Sequence, residues 1–137
     1  MFGEKDLRVL LASMAPSLDA ENFVFCTADD LQIVLKLGIL PKGMFAEKEG
    51  TTLILTKSEA QQASLSFSGE YRCITLNVHS SLEAVGLTAA VSTALAQANI
   101  SANVVAAYYH DHIFVPSNKA LIAMSTLEVL VGKNRDN

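Results

Sequence analysis

A self-similar pattern constrains this 137-residue chain more than any other feature in it. Leu53-Ile54-Leu55-Thr56-Lys57-Ser58-Glu59-Ala60 falls on Ile113-Phe114-Val115-Pro116-Ser117-Asn118-Lys119-Ala120 at an offset of 60 residues. Both copies read as an apolar strand, a stop, a capping residue and a helix start. Upstream, Phe23-Val24-Phe25 matches Val104-Val105-Ala106 at an offset of 81. The change in offset, 21 residues, is about the size of the ambiguous segment 28–43, where Leu31, Val34 and Leu35 fit a helix but Gly38 and Pro41 break it. We therefore expect an insertion there in the first copy.

The remaining elements fill out two similar units. Leu7, Leu10, Leu11 and Met14 keep the spacing of one helical face over 4–15, and Pro16 ends that helix. Phe23 to Thr27 reads as a strand. Met44 to Glu47 and Thr51 to Thr56 read as a hairpin around Gly50, and Ser58 with Gln61 has capping-box spacing for a short helix. In the second half, Ile74, Leu76 and Val78 alternate with polar or smaller residues over Tyr71 to Val78, which predicts a strand with one buried face. A helix follows from about Gly86 to Asn99, with Ser80 and Glu83 spaced as a capping box ahead of it. Ala102 to Tyr109 and Ile113 to Val115 form a second hairpin around His110-Asp111, and a last helix runs to Gly132. With Tyr71 to Val78 and a candidate strand over Ser64 to Phe67, both copies can complete βαββαβ units. The expected fold is α+β: two ferredoxin-like units in tandem, 1–68 with its insertion at 28–43 and 69–132, then a loose tail at 133–137. Whether the units exchange strands stays open.

Composition narrows the function. Half of the residues are hydrophobic, so a packed core is required, and the length leaves room for one core or two small ones. The net charge of -4 lies wholly in the first half, and no Lys/Arg cluster is available to neutralise phosphate, which argues against nucleic acid or an anionic membrane as partner. Apolar runs such as Val104 to Tyr109 are too short to span a bilayer, and the first six residues do not read as an export signal. Cys26 and Cys73 lie in strand-like runs without a CxxC spacing and read as buried thiols of a cytoplasmic protein.

Ile74-Thr75-Leu76-Asn77-Val78, the stretch from Val85 to Val105, and Tyr108 to Pro116 together resemble the ACT domain of aspartate kinases and other amino-acid enzymes. The pattern is a strand, a loop ending in Gly86, a helix ending in Leu95 to Ile100, and a hairpin whose last strand closes on Val115-Pro116. The likeness is strongest over Tyr71 to Leu130 and weaker before it. It implies a regulatory module that binds a small molecule, an amino acid first of all, without catalysis or cofactor of its own. It also implies an enzyme regulated in trans, and the exposed edge and open face of a ferredoxin-like sheet predict a homodimer. The implied ligand-binding residues are Ser80, Ser81, Val85, Gly86, Leu87, Asn103 and Val104. The physical rationale is that free amides and the dipole at a helix N-terminus suit a carboxylate. The loop departs from the family in placing Glu83, Ala84 and Val85 where an acidic residue or Asn is common two or three positions before the glycine.

Two other readings compete. The chain can be a structural or protein-interaction unit that has lost its ligand, which predicts a filled cleft at Gly86. Or His110-Asp111-His112, with His79, can serve a small metal-dependent enzyme. In an extended strand His110 and His112 would share one face while Asp111 points away, and in a tight turn all three are solvated, so the plain reading is a polar turn. No nucleophile elbow, P-loop or dinucleotide fingerprint occurs.

Overall fold

The computed structural model describes residues 6–78 and 85–135. In chain order the elements are α1 (Leu7–Ser13), β1 (Pro16–Leu18), β2 (Phe23–Ala28), α2 (Gln32–Leu35), β3 (Gly43–Ala46), β4 (Thr51–Thr56) and α3 (Lys57–Gln62). Then follow β5 (Tyr71–Leu76), α4 (Leu87–Gln97), β6 (Asn103–Ala106), β7 (Asp111–Pro116), one 3-10 turn (Ser117–Lys119) and α5 (Ala120–Arg135). The described residues form two compact units. Those up to Ala20 and from Arg72 onward make one, called here the terminal unit, and Glu21–Tyr71 makes the middle unit.

In the middle unit, β4 lies between β3 and β2, antiparallel to both. Val24, Cys26, Leu53 and Leu55 send their side chains to one face, where Val34 of α2 and Ala60 of α3 close the core. In the terminal unit β5 lies beside β7, and β7 pairs with β6. The strand on the other side of β5 is β1, antiparallel with Pro16 opposite Leu76 and Leu18 opposite Ile74. Pro16 thus opens a strand as well as ending α1, a position where its missing amide costs no ladder bond. Leu10, Leu11 and Met14 reach the same core as Ile74, Leu95 and Leu127. The N-terminal helix and strand therefore complete the unit built from the C-terminal half.

The repeat is tighter than its expected alignment. Gly43 pairs with Ile54 and Asn103 with Phe114, and every pair in one hairpin maps onto the other at the same 60-residue offset. The counterpart of Val104 is consequently Met44, and the match of Val104-Val105 to Phe23-Val24 is overturned. The reason is geometric: a hairpin carries its own partner strand, whereas β2 pairs with the opposite edge of β4. Segment 28–43 holds α2, four residues long, in the chain position where the second copy has the eleven-residue α4.

Three helices stop in the same way. Gly38 at φ +76°, Ser64 at +56° and Asn99 at +62° each follow a helix in the left-handed region. The next amides, of Ile39, Leu65 and Ile100, donate to the carbonyls of Val34, Ala60 and Leu95 at 3.1, 3.0 and 2.9 Å. This is the Schellman arrangement, in which the residue after the turn also drops an aliphatic side chain into the core. Ser64 therefore ends α3, and the strand expected over Ser64 to Phe67 does not form; residues 63–70 have no regular structure.

Other boundaries shift for local reasons. The box that caps α3 is Thr56 with Glu59 rather than Ser58 with Gln61: the Glu59 amide donates to Thr56 Oγ1 at 3.1 Å and the Thr56 amide to Glu59 Oε1 at 2.9 Å. The helix starts where the β2–β4 ladder ends, since Thr56 is itself the last paired residue. β5 stops at Leu76, and both Cys73 and Ile74 are buried, so its two faces are covered rather than one. The α5 helix runs past Gly132 to Arg135, where the expected loose tail had begun at 133. Arg135 Nε donates to the Ala12 carbonyl at 2.6 Å and Asn134 Nδ2 to Leu130 at 2.9 Å, which holds the last turn.

Candidate functional site

The resemblance places a ligand at the start of α4, and the structure describes most of that region. Gly86 is the N-cap, at φ +101° and ψ -18°, and as a glycine it brings no side chain to cap the first turn. The left-handed backbone favours glycine, and a Cβ built here would lie 3.1 Å from Leu7 Cδ2 of α1, which would have to give way by a few tenths of an ångström. Val85 is 82% exposed, whereas Leu87 turns into the core. By contrast, α3 begins with its own capping box, and α2 begins with Asp30 Oδ1 accepting from the Gln32 amide at 2.7 Å. The first-turn amides of α4 are donors that no side chain of the described residues caps.

Val85, Gly86 and Leu87 are thus continuous. Asn103 and Val104 open β6, where Asn103 Nδ2 donates to the Phe114 carbonyl at 3.2 Å and Val104 packs half-buried on the core. The Asn103 amide is committed to its own hairpin. Ser80 and Ser81, the Ser80/Glu83 capping box and His79 lie outside the described residues.

The histidine triplet differs from a solvated turn. The turn proper spans Ala107 to His110, and Asp111 is already the first residue of β7. His110, Asp111 and His112 are all half-buried. Thr75 Oγ1 and His112 Nδ1 lie 2.9 Å apart, and His110 Nδ1 is buried without a hydrogen-bond partner among the described residues. Burial pushes the Asp111 carboxyl above the usual carboxylate range, against the attraction of the His112 and His110 imidazoles. Among the described residues no group of three His, Cys, Asp or Glu is placed to hold a metal ion. Both cysteines are buried and neither forms a disulfide with a described residue, and burial pushes the Cys26 thiol up.

Among the described residues no helix is long and apolar enough to cross a membrane. The sequence matches the ACT domain pattern twice, over residues 2–72 and 68–129. No curated protein matches it. A crystal structure of a protein of unknown function from Vibrio cholerae, described as a possible transport protein, is 51% identical, over 93% of this chain and 97% of that one, with a TM-score of 0.82. The regulatory subunit of aspartate kinase from Thermus thermophilus shares the fold at 11% identity and a TM-score of 0.69, over 86% of this chain and 96% of that one. Aspartate kinase from Clostridium acetobutylicum does so at 9% identity and a TM-score of 0.70, over 87% of this chain but 35% of its own. The glycine-opened helix, the doubled hairpin register and the two pattern matches converge, and the chain belongs to the ACT domain family, with two ACT domains in tandem.

Proposed function

We propose that this protein is a regulatory module that binds a free amino acid or a related carboxylate, acting as a cytoplasmic homodimer on an enzyme encoded separately. The observation that carries the reading is the start of α4, where Gly86 opens an eleven-residue helix and no side chain of the described residues caps the first turn. Such a terminus presents amides and a partial positive charge to a carboxylate. In this reading the amides of Gly86 and Leu87 hold the carboxylate, and Ser80 and Ser81 reach the rest of the ligand. Asn103 and Val104 form the facing strand. Two ACT domains and the shared fold of aspartate kinase regulatory domains support the regulatory assignment.

A thermal-shift screen of the twenty amino acids beside their carboxamides tests it. A ligand present at a hundred times its Kd stabilises the fold by about 2.7 kcal/mol. The acid is expected to raise the melting temperature and its amide is not; a flat response across the acids overturns the reading. Sedimentation at micromolar concentration tests the dimer. A second reading, a structural unit without ligand, is favoured by the packing of Leu7 against Gly86. It predicts that flat response together with a stable protein partner.

A further inference from the structure

The middle unit holds a groove that the α4 site does not involve. Strand β2 is paired along its length to β4, but on its other edge the ladder among the described residues is one bridge, Phe23 to Tyr71. Beyond that bridge the irregular segment after α3 crosses beside β2 and leaves an open cavity of about 630 Å³. Phe25 and Phe67, the hydroxyl residues Thr27, Ser66 and Ser68, and Cys26, whose side chain belongs to the core, line it.

The chemistry of the lining is selective. It contains no ammonium or guanidinium, so an anionic ligand would gain no partner for its charge. The Cys26 thiol, raised by burial, is neutral as well. Thr52, also in the lining, gives its hydroxyl to the Glu47 carboxylate, but those of Thr27, Ser66 and Ser68 make no hydrogen bond to another described residue. Hydroxyls donate and accept equally, which suits a ring whose edge mixes both functions. Phenyl faces and edges reward flat π-systems.

The geometry points to a second binding site in this groove, for an uncharged planar heteroaromatic molecule of the nucleobase class. Its rings pack against Phe25 and Phe67, and its polar edge meets Thr27, Ser66 and Ser68. It is independent of the amino-acid reading, because neither its residues nor its ligand chemistry overlap the start of α4.

Ligand-observed NMR titration of the full chain with adenine and with uracil, and with benzoate as a charged ring, tests the proposal. Saturable binding is expected for at least one base and not for benzoate. Ser66→Ala with Ser68→Ala weakens it about three- to tenfold, and Phe67→Ala about tenfold. Ser58→Ala, exposed on α3 and outside the lining, leaves it unchanged. Phe67 also packs on the core, so its variant is paired with a melting curve, and the exposed serines decide if it fails to fold. Absence of saturable binding of either base up to ~10 mM overturns the site. So does equal binding of benzoate, or base binding that the serine substitutions leave unmoved.

Discussion

Leu7 and Gly86 meet at the start of α4, with Leu7 Cδ2 3.1 Å from the point where a Gly86 Cβ would stand. A helix near the beginning of the chain thereby shapes the terminus on which the ligand reading rests. Gly86→Ala would place a Cβ both in the left-handed region and against that methyl. The expected loss is about 1–3 kcal/mol, read as a lower urea midpoint with unchanged m. Made in a Leu7→Ala background, the same substitution should cost less, because the steric part of the loss disappears while the torsional part remains.

Capping of α3 separates two neighbouring hydroxyls. Thr56→Ala removes the acceptor for the Glu59 amide and should cost about 1 kcal/mol. Ser58→Ala should fall within about 0.5 kcal/mol of the parent. Equal effects in chemical denaturation would show that the box does not form in solution.

Ser64 is a non-glycine residue at φ +56° that ends α3. Ser64→Gly should stabilise the protein by about 0.5–1 kcal/mol, since it removes the torsional strain while the Leu65-to-Ala60 hydrogen bond stays. A fall in melting temperature would mean that the Ser64 side chain contributes more than its backbone costs.

Burial raises the Asp111 carboxyl, so the folded state binds its proton more tightly than the unfolded chain does. Stability from this group is then present below the ordinary carboxylate value and is lost as pH rises from there through the raised folded value. Asp111→Asn should accordingly gain more in melting temperature at pH 7 than at pH 3. A gain that is the same at both pH values would remove the titration from the explanation.

Much of this architecture is legible in the residues. The strand-cap-helix repeat survives as two hairpins of identical register, because apolar runs bounded by turns encode local geometry. The glycine before α4 is legible for the same reason. Less so were the boundaries at Thr56 and Arg135, which depend on where a ladder ends and on a carbonyl supplied by Ala12, far away in sequence. The histidine triplet is visible in the sequence, but its half-burial is not, since Thr75, which faces His112, is 37 positions distant in the chain.

Local chemistry by itself determined that this chain makes short strands and capped helices in two similar copies, and that Gly86 opens one of those helices. Tertiary structure alone decided which pieces belong together. β1 and α1 complete the unit formed after Tyr71, because Ile74 and Leu76 need a paired strand on one side of β5 and Leu95 and Leu127 need Leu10 and Leu11 in their core. Such pairing is a matter of burial between distant segments, and no pattern within either segment records its partner.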